Sequence, residues 1–221
     1  METISVIIPA FNEEANIANS IAVAKKCSLV NEILVINNLS KDKTEQIALE
    51  NGARVQECNF QGKGYAMEDG IKYAKNDVIV FLDADVKYEH QNIVEELARP
   101  IIENKADFVK SAFDRTVGGT VTEIVVKPLL NIIYPNMYKF TEPISGMIAS
   151  RKSILQELTL EKDYGVDIGI LLDVINKGYR VTELNIGKII NTSHDHKNNE
   201  TMSKMSTEII RAILKRTSIL K

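Results

Sequence analysis

The sequence predicts an α/β fold, a mostly parallel sheet flanked by helices, in a single domain. Three observations carry this. Short apolar runs alternate with helix-period stretches through the first half of the chain. Those runs are continuous rather than polar-alternating, as in strands buried on both faces, and polar residues gather at their carboxyl ends. The 221 residues are enough for one substantial core, and no internal repeat or Pro-, Gly- or Ser-rich linker divides them.

The first strand is "ISVIIP" (4–9), followed by a helical stretch over 12–27 in which Ile17, Ile21 and Ala24 recur at helical spacing. "EILVINN" (32–38) is the second strand. The helix after it (40–52) has Ser40 or Asp42 as a cap and Gly52 as its stop. "ARVQEC" (53–58), a helix over 62–76 and "DVIVFLD" (77–83) complete a run of right-handed βαβ units. After Asp85 the rhythm changes. A helix over 90–105 holds a late proline, and "ADFVKSAF" (106–113) is a strand. Residues 118–135 read as helical and 144–152 as a short strand. A helix (164–179), a strand (180–186) and a closing helix from Ser203 to Thr217 follow.

Charge is nearly balanced, with 27 basic and 30 acidic residues and a net charge of −3, so a nucleic-acid binder with a concentrated basic face is not expected. No secretory signal opens the chain, and the apolar "VTEIVVKPLLNIIYP" is too short and too interrupted by Glu123, Lys127 and Pro128 to span a bilayer. Cys27 and Cys58 make no metal-type spacing and read as reduced thiols of a cytoplasmic protein. The basic, apolar tail "IIRAILKRTSILK" reads as a docking or dimer-forming helix rather than a membrane-surface one, so a homodimer is expected.

In open α/β sheets ligands bind beyond the carboxyl ends of the strands. Here those ends read "PAFNEE", "INNLSKDKT" and "DAD". Asp83 and Asp85 repel unless something positive separates them, so they are either a capping pair in a turn or a site for Mg²⁺ or Mn²⁺ that bridges to a diphosphate. In "QGKGYA", Gly62 and Gly64 permit close backbone approach to a ligand and Lys63 offers a point charge for phosphate; the plain alternative is a turn before a helix. No Walker loop and no G-x-G-x-x-G is present, which sets aside NTPases and dinucleotide enzymes. His194 and His196 flank Asp195, as metal ligands or as incidental loop residues. Asp167 falls in the first turn of a helix, where it complements the dipole or binds substrate hydroxyls.

Together "ISVIIPAFNEE", "EILVINNLSKDKT", "GKGYA" and "VIVFLDAD" resemble the nucleotide-sugar-binding half of the glycosyltransferase-A fold. "FVKSAFDR", "GGTVTEIVVKPLL", "YGVDIGILLDV" and "SHDHKNNETMSKMS" narrow the resemblance to glucosyl-3-phosphoglycerate synthases and the related mannosyl enzymes, over nearly the whole chain. The resemblance implies one glycosyltransferase domain, 1–221, with a nucleotide-sugar half (1–87) and an acceptor half (88–221). It implies nucleotide-sugar contacts from Pro9, Ala10, Phe11, Glu13, Asn38, Ser40, Lys63, Asp83, Ala84 and Asp85. Acceptor contacts fall to Lys110, Arg115, Thr120, Val121, Thr122, Gly146 and His196. It places the metal on Asp85 with His194, or with His196 instead, and the catalytic roles on Asp85, Lys63 and Asp167. One departure matters: Thr120 stands where the synthases usually carry an arginine that grips the acceptor phosphate.

The expected reaction is therefore metal-dependent hexose transfer, with retention, from a nucleoside diphosphate sugar to a small anionic acceptor such as 3-phosphoglycerate, with UDP-glucose as the favoured donor. The alternatives are an inverting transferase acting on a lipid phosphate or polysaccharide, and a non-catalytic nucleotide-sugar sensor. A sensor would need neither the acid pair nor the two histidines.

Overall fold

A computed structural model describes residues 2–115, 119–137, 139–191 and 198–217, with the side chains of Arg115, Asn136 and Asn191 outside that description. Its centre is one eight-stranded sheet in the order β3-β2-β1-β4-β7-β6-β8-β5. The strands are β1 (Ile4–Ala10), β2 (Val30–Asn37), β3 (Arg54–Glu57), β4 (Val78–Phe81), β5 (Val86–Tyr88), β6 (Phe108–Arg115), β7 (Ile148–Arg151) and β8 (Val181–Asn191). The helices are α1 (Ile17–Ala24), α2 (Thr44–Glu50), α3 (Lys63–Tyr73), α4 (Ile93–Ile102), α5 (Lys127–Ile133), α6 (Lys152–Gln156), α7 (Val166–Asn176) and α8 (Asn199–Lys215).

β1 pairs in parallel with both β2 and β4, and β2 with β3, so the chain winds outward from β1 and then returns to its other side. That reversal is the switch point at which the carboxyl ends of β1 and β4 open a crevice. Beyond β4 the sheet becomes mixed: β7 runs antiparallel to β4 and β6, while β6 and β8 are parallel. The two faces carry separate cores. Ile4, Val6 and Ile8 of β1 pack with Ile17 and Ile21 of α1 and with Ile93 and Leu97 of α4. Ile7 points the other way, into a layer built from Met67, Ile71, Val166, Ile170, Ile209 and Ile213. This is the two-residue period of a strand buried on both sides.

Three elements differ from the sequence expectation. β5 begins directly after Asp85 and pairs antiparallel with β8, so the segment after the acid pair returns to the sheet edge. The helical stretch after residue 118 contains a π-helical turn, Thr122–Val126, that runs directly into α5, whose second residue is Pro128 and offers no N–H to the turn before it. α8 starts at Asn199 rather than Ser203, because the Asn198 side chain accepts the N–H groups of Glu200 (3.0 Å) and Thr201 (3.3 Å). No described helix is long and apolar enough to cross a membrane.

Candidate active site

The loops after β1 and β2 hold each other in place. Asn12 (φ 54°) and Leu39 (φ 64°) adopt the left-handed conformation, which is rare outside glycine and needs support from its surroundings. That support comes from crossed bonds: Asn12 N–H donates to Ser40 Oγ (3.0 Å), Lys41 N–H to Asn12 Oδ1 (2.8 Å), and Glu13 N–H to Thr44 Oγ1 (2.7 Å). Asn38 extends the stitching to a third loop: its Nδ2 donates to Phe60 O and its Oδ1 accepts Gly62 N–H, both at 2.8 Å. Ser40, expected on the nucleoside, instead serves this loop-to-loop tie and does not line the cleft.

Lys63 opens α3 and reaches two carboxylates, Asp83 Oδ1 at 3.1 Å and Asp167 Oδ2 at 2.9 Å. Burial opposes its charge, but Asp167 and then Asp83 hold the ammonium above the ordinary lysine range. Gly62, with φ 145°, lines the cleft, and a Cβ on Gly62 or Gly64 would overlap the carbonyl oxygens of Lys162 and Glu161, so both glycines also admit the chain's own backbone at 161–162. Downstream, the Asp83 carbonyl accepts from Tyr88 Oη at 2.6 Å, so the unexpected strand β5 helps hold the acid turn. Burial, followed by the negative charges of Asp83 and Glu13, pushes the Asp85 carboxyl up to about 7.

A carboxyl raised by neighbouring carboxylates fits a divalent cation, which would relieve that repulsion through oxygen ligands. Among the described residues no three His, Cys, Asp or Glu side chains form a cluster able to hold a metal ion. His194 and His196, the expected partners of Asp85, lie outside the described residues.

The cleft above these groups has a volume of about 510 Å³, within the range of small-molecule sites. It brings together Pro9, Ala10, Phe11, Glu13, Asn38, Lys63, Asp83, Ala84 and Asp85 from the donor expectation, Asp167 from the catalytic one, and Thr120, Val121 and Thr122 from the acceptor expectation. Two residues that line it, Asp167 and Thr122, each carry a buried oxygen, Oδ1 and Oγ1, with no hydrogen-bond partner among the described residues.

Two acceptor expectations are corrected. Lys110 is wholly buried, with its ammonium on the Ser145 carbonyl, and does not line the cleft. Gly146 stands behind the wall, where a Cβ would overlap Asp83 Oδ1 and Lys63 Nζ. The Arg115 side chain lies outside the description. The sequence reading missed Phe113, Ser145, Asp163, Tyr164 and Lys204, all of which line the second half of the cleft. Phe113, Tyr164 and Lys204 fall in stretches that carry the family resemblance, but no local pattern marks any of the five as a site residue; Lys204 pairs with Asp163 at 2.6 Å.

A crevice at the switch point, lined by an acid pair and a lysine, has the charges to hold a cation and a diphosphate. The chain belongs to glycosyl transferase family 2, whose description its residues 5–159 match. Beyond that family it is similar to glucosyl-3-phosphoglycerate synthases. The enzyme of Petrotoga mobilis is 31% identical, over 96% of this chain and 73% of that protein. The Mycobacterium tuberculosis enzyme is 31% identical over 98% of this chain and 74% of its own length. A crystal structure of the M. tuberculosis enzyme with Mn²⁺, uridine diphosphate and phosphoglyceric acid superposes with a TM-score of 0.91 at 31% identity. It covers 99% of this chain and 79% of that one. A second, with Mg²⁺ and uridine diphosphate, also gives 0.91 at 31% identity, over 99% of this chain and 80% of that one.

Proposed function

We propose that this glycosyltransferase moves glucose from UDP-glucose to 3-phosphoglycerate, or to a closely similar small anionic hydroxyl compound, with Mg²⁺ or Mn²⁺ and with retention at the anomeric carbon. One observation carries the reading: the likeness to the synthase bound to Mn²⁺, uridine diphosphate and phosphoglyceric acid runs over 99% of the chain. In this reading residues 1–87 hold the nucleotide sugar and 88–221 the acceptor, within one domain.

Pro9, Ala10, Phe11, Glu13 and Asn38 wall the nucleoside end, supported by the stitched loops. Asp85, with His194 or His196, would hold the cation, which neutralises charge developing on the diphosphate. Lys63 faces the same phosphates, while Asp167, which lines the cleft beside it, meets the donor sugar. Thr122 Oγ1 and the Gly119–Thr122 backbone meet the acceptor, and Thr120 leaves its phosphate without the arginine of the resembled enzymes. The bond from the anomeric carbon to the diphosphate oxygen breaks as the acceptor oxygen bonds to that carbon from the same face. The departing phosphate oxygen takes the acceptor proton.

Free, buried Cys27 and Cys58 support a reducing compartment such as the cytoplasm. A homodimer, expected from the basic, apolar closing helix, completes the reading; light scattering tests that state. The function itself is tested by incubating the protein with UDP-glucose, 3-phosphoglycerate and Mn²⁺ and following UDP release. Glucosylated phosphoglycerate is the expected product. No UDP release, together with no thermal stabilisation by any sugar nucleotide, would overturn the reading.

A further inference from the structure

Behind the cleft wall lies a lysine that the transfer chemistry does not use. Lys110, on β6, has no exposed surface, and its Nζ donates to the Ser145 carbonyl at 2.5 Å. Burial pushes its ammonium down to about 8 even though Asp167, Asp83 and Glu142 pull the other way. An apolar side chain of the same length would fill this space without taking a charge out of water, so packing alone does not account for a lysine here.

What the lysine grips is a turn, and the turn has two sides. On the β6 side, Ser111 Oγ shares a hydrogen bond with Ser145 Oγ (2.6 Å), and Ser111 N–H donates to Met147 O (3.0 Å). Within the turn, Met147 N–H donates to Ser145 Oγ (3.2 Å). On the cleft side, Gly146 is pressed so closely on Asp83 Oδ1 and Lys63 Nζ that a Cβ there would overlap both. The turn cannot move toward the cleft without driving into that ion pair, and moving away leaves the pair without its backing.

We propose that Lys110 is a positioning residue: by holding the Ser145 carbonyl it sets the Ser145–Gly146 turn, and through the turn it keeps Lys63 and Asp83 in place for the departing diphosphate. This role rests on the transfer reading above. A geometric error of a fraction of an ångström at a phosphate-facing lysine is felt in the transition state more than in ground-state binding, because the charge there develops only as the bond breaks.

The test replaces Lys110 with methionine, of similar length and without charge, and measures two quantities on folded protein. One is affinity for uridine diphosphate with Mn²⁺ by calorimetry; the other is UDP release from UDP-glucose with 3-phosphoglycerate. Lys110→Met is expected to lower kcat about tenfold to a hundredfold and to weaken UDP binding by no more than about threefold. Should Lys110→Met not fold, Ser111→Ala removes a neighbouring hold on the same turn, with an expected loss in kcat of about threefold to tenfold. Turnover per folded molecule equal to that of the wild type overturns the role, as does a loss of turnover matched by an equal loss of UDP affinity. Wild-type protein that binds UDP but releases none from UDP-glucose overturns the transfer reading instead, and this role falls with it.

Discussion

On the donor side of the cleft, β1, β2 and β4 end on one rim and their loops bond to one another. The acceptor side is assembled from a π-helical turn, the bend before an antiparallel strand, the loop ahead of α7 and the last helix. The proposed donor side places charge: Asp83 and Asp85 follow β4 and Lys63 opens α3, and side-chain bonds such as Asn12 to Ser40 and Asn38 to Gly62 tie the neighbouring loops together. The acceptor side places shape, with Phe113, Val121, Ile144 and Met205 surrounding a few polar groups. In the proposed division, the charged groups that the transfer needs stand at the regular sheet, and the acceptor would be met by elements that come together only after folding.

Four perturbations separate these sides, from the largest expected effect to the smallest. Asp85→Ala removes the proposed cation ligand, and UDP release at saturating Mn²⁺ is expected to fall about 10³-fold or more. Full activity in that variant would move the metal elsewhere. Lys63→Met removes a preorganised charge facing the diphosphate and leaves Asp83 and Asp167 without their shared cation. Turnover is expected to drop by about 10²-fold, and the melting temperature to fall as well.

Lys110→Met has the opposite effect on stability. The folded-state ammonium is depressed to about 8, below an unfolded value of about 10.4. The folded state therefore holds the proton less tightly, and a penalty of up to about 3 kcal/mol is present below pH 8 and relieved between about 8 and 10.5. Leaving the buried Ser145 carbonyl without its donor costs about 1–3 kcal/mol, so the variant should be at least as stable as wild type at pH 7. The advantage shrinks as pH rises through that window, which denaturant melts at pH 7 and 10 would read. Thr120→Arg acts only on the acceptor side and is expected to lower the KM for 3-phosphoglycerate by about threefold to tenfold, leaving the donor KM in place. A change in donor KM of the same size would mean that the two sides are not independent.

Much of the donor side was legible because each part follows a local rule. "VIVFLDAD" reads as a buried strand ending in paired acids, and Lys63 stands out between glycines. The backbone that the glycines admit belongs to residues 161–162, about a hundred positions away, which no local pattern announces. Lys110, expected on the acceptor, is placed behind the wall by the sheet. Asp163 and Lys204 carried no signal, because their pairing depends on how α8 packs against the loop ahead of α7.

By itself, then, the sequence determined the α/β class, the parallel β1–β4 unit and the gathering of Asp83, Asp85 and Lys63 at its rim, because hydrophobic periodicity and crossover handedness act over a few tens of residues. Only the tertiary structure decided that Asp167 shares Lys63 with Asp83, that Gly146 backs that pair, and that Lys110 anchors the turn behind it. Those contacts join residues as far as 104 positions apart. Their geometry is set by the antiparallel β7 and the packing of α7 and α8, which no local pattern encodes.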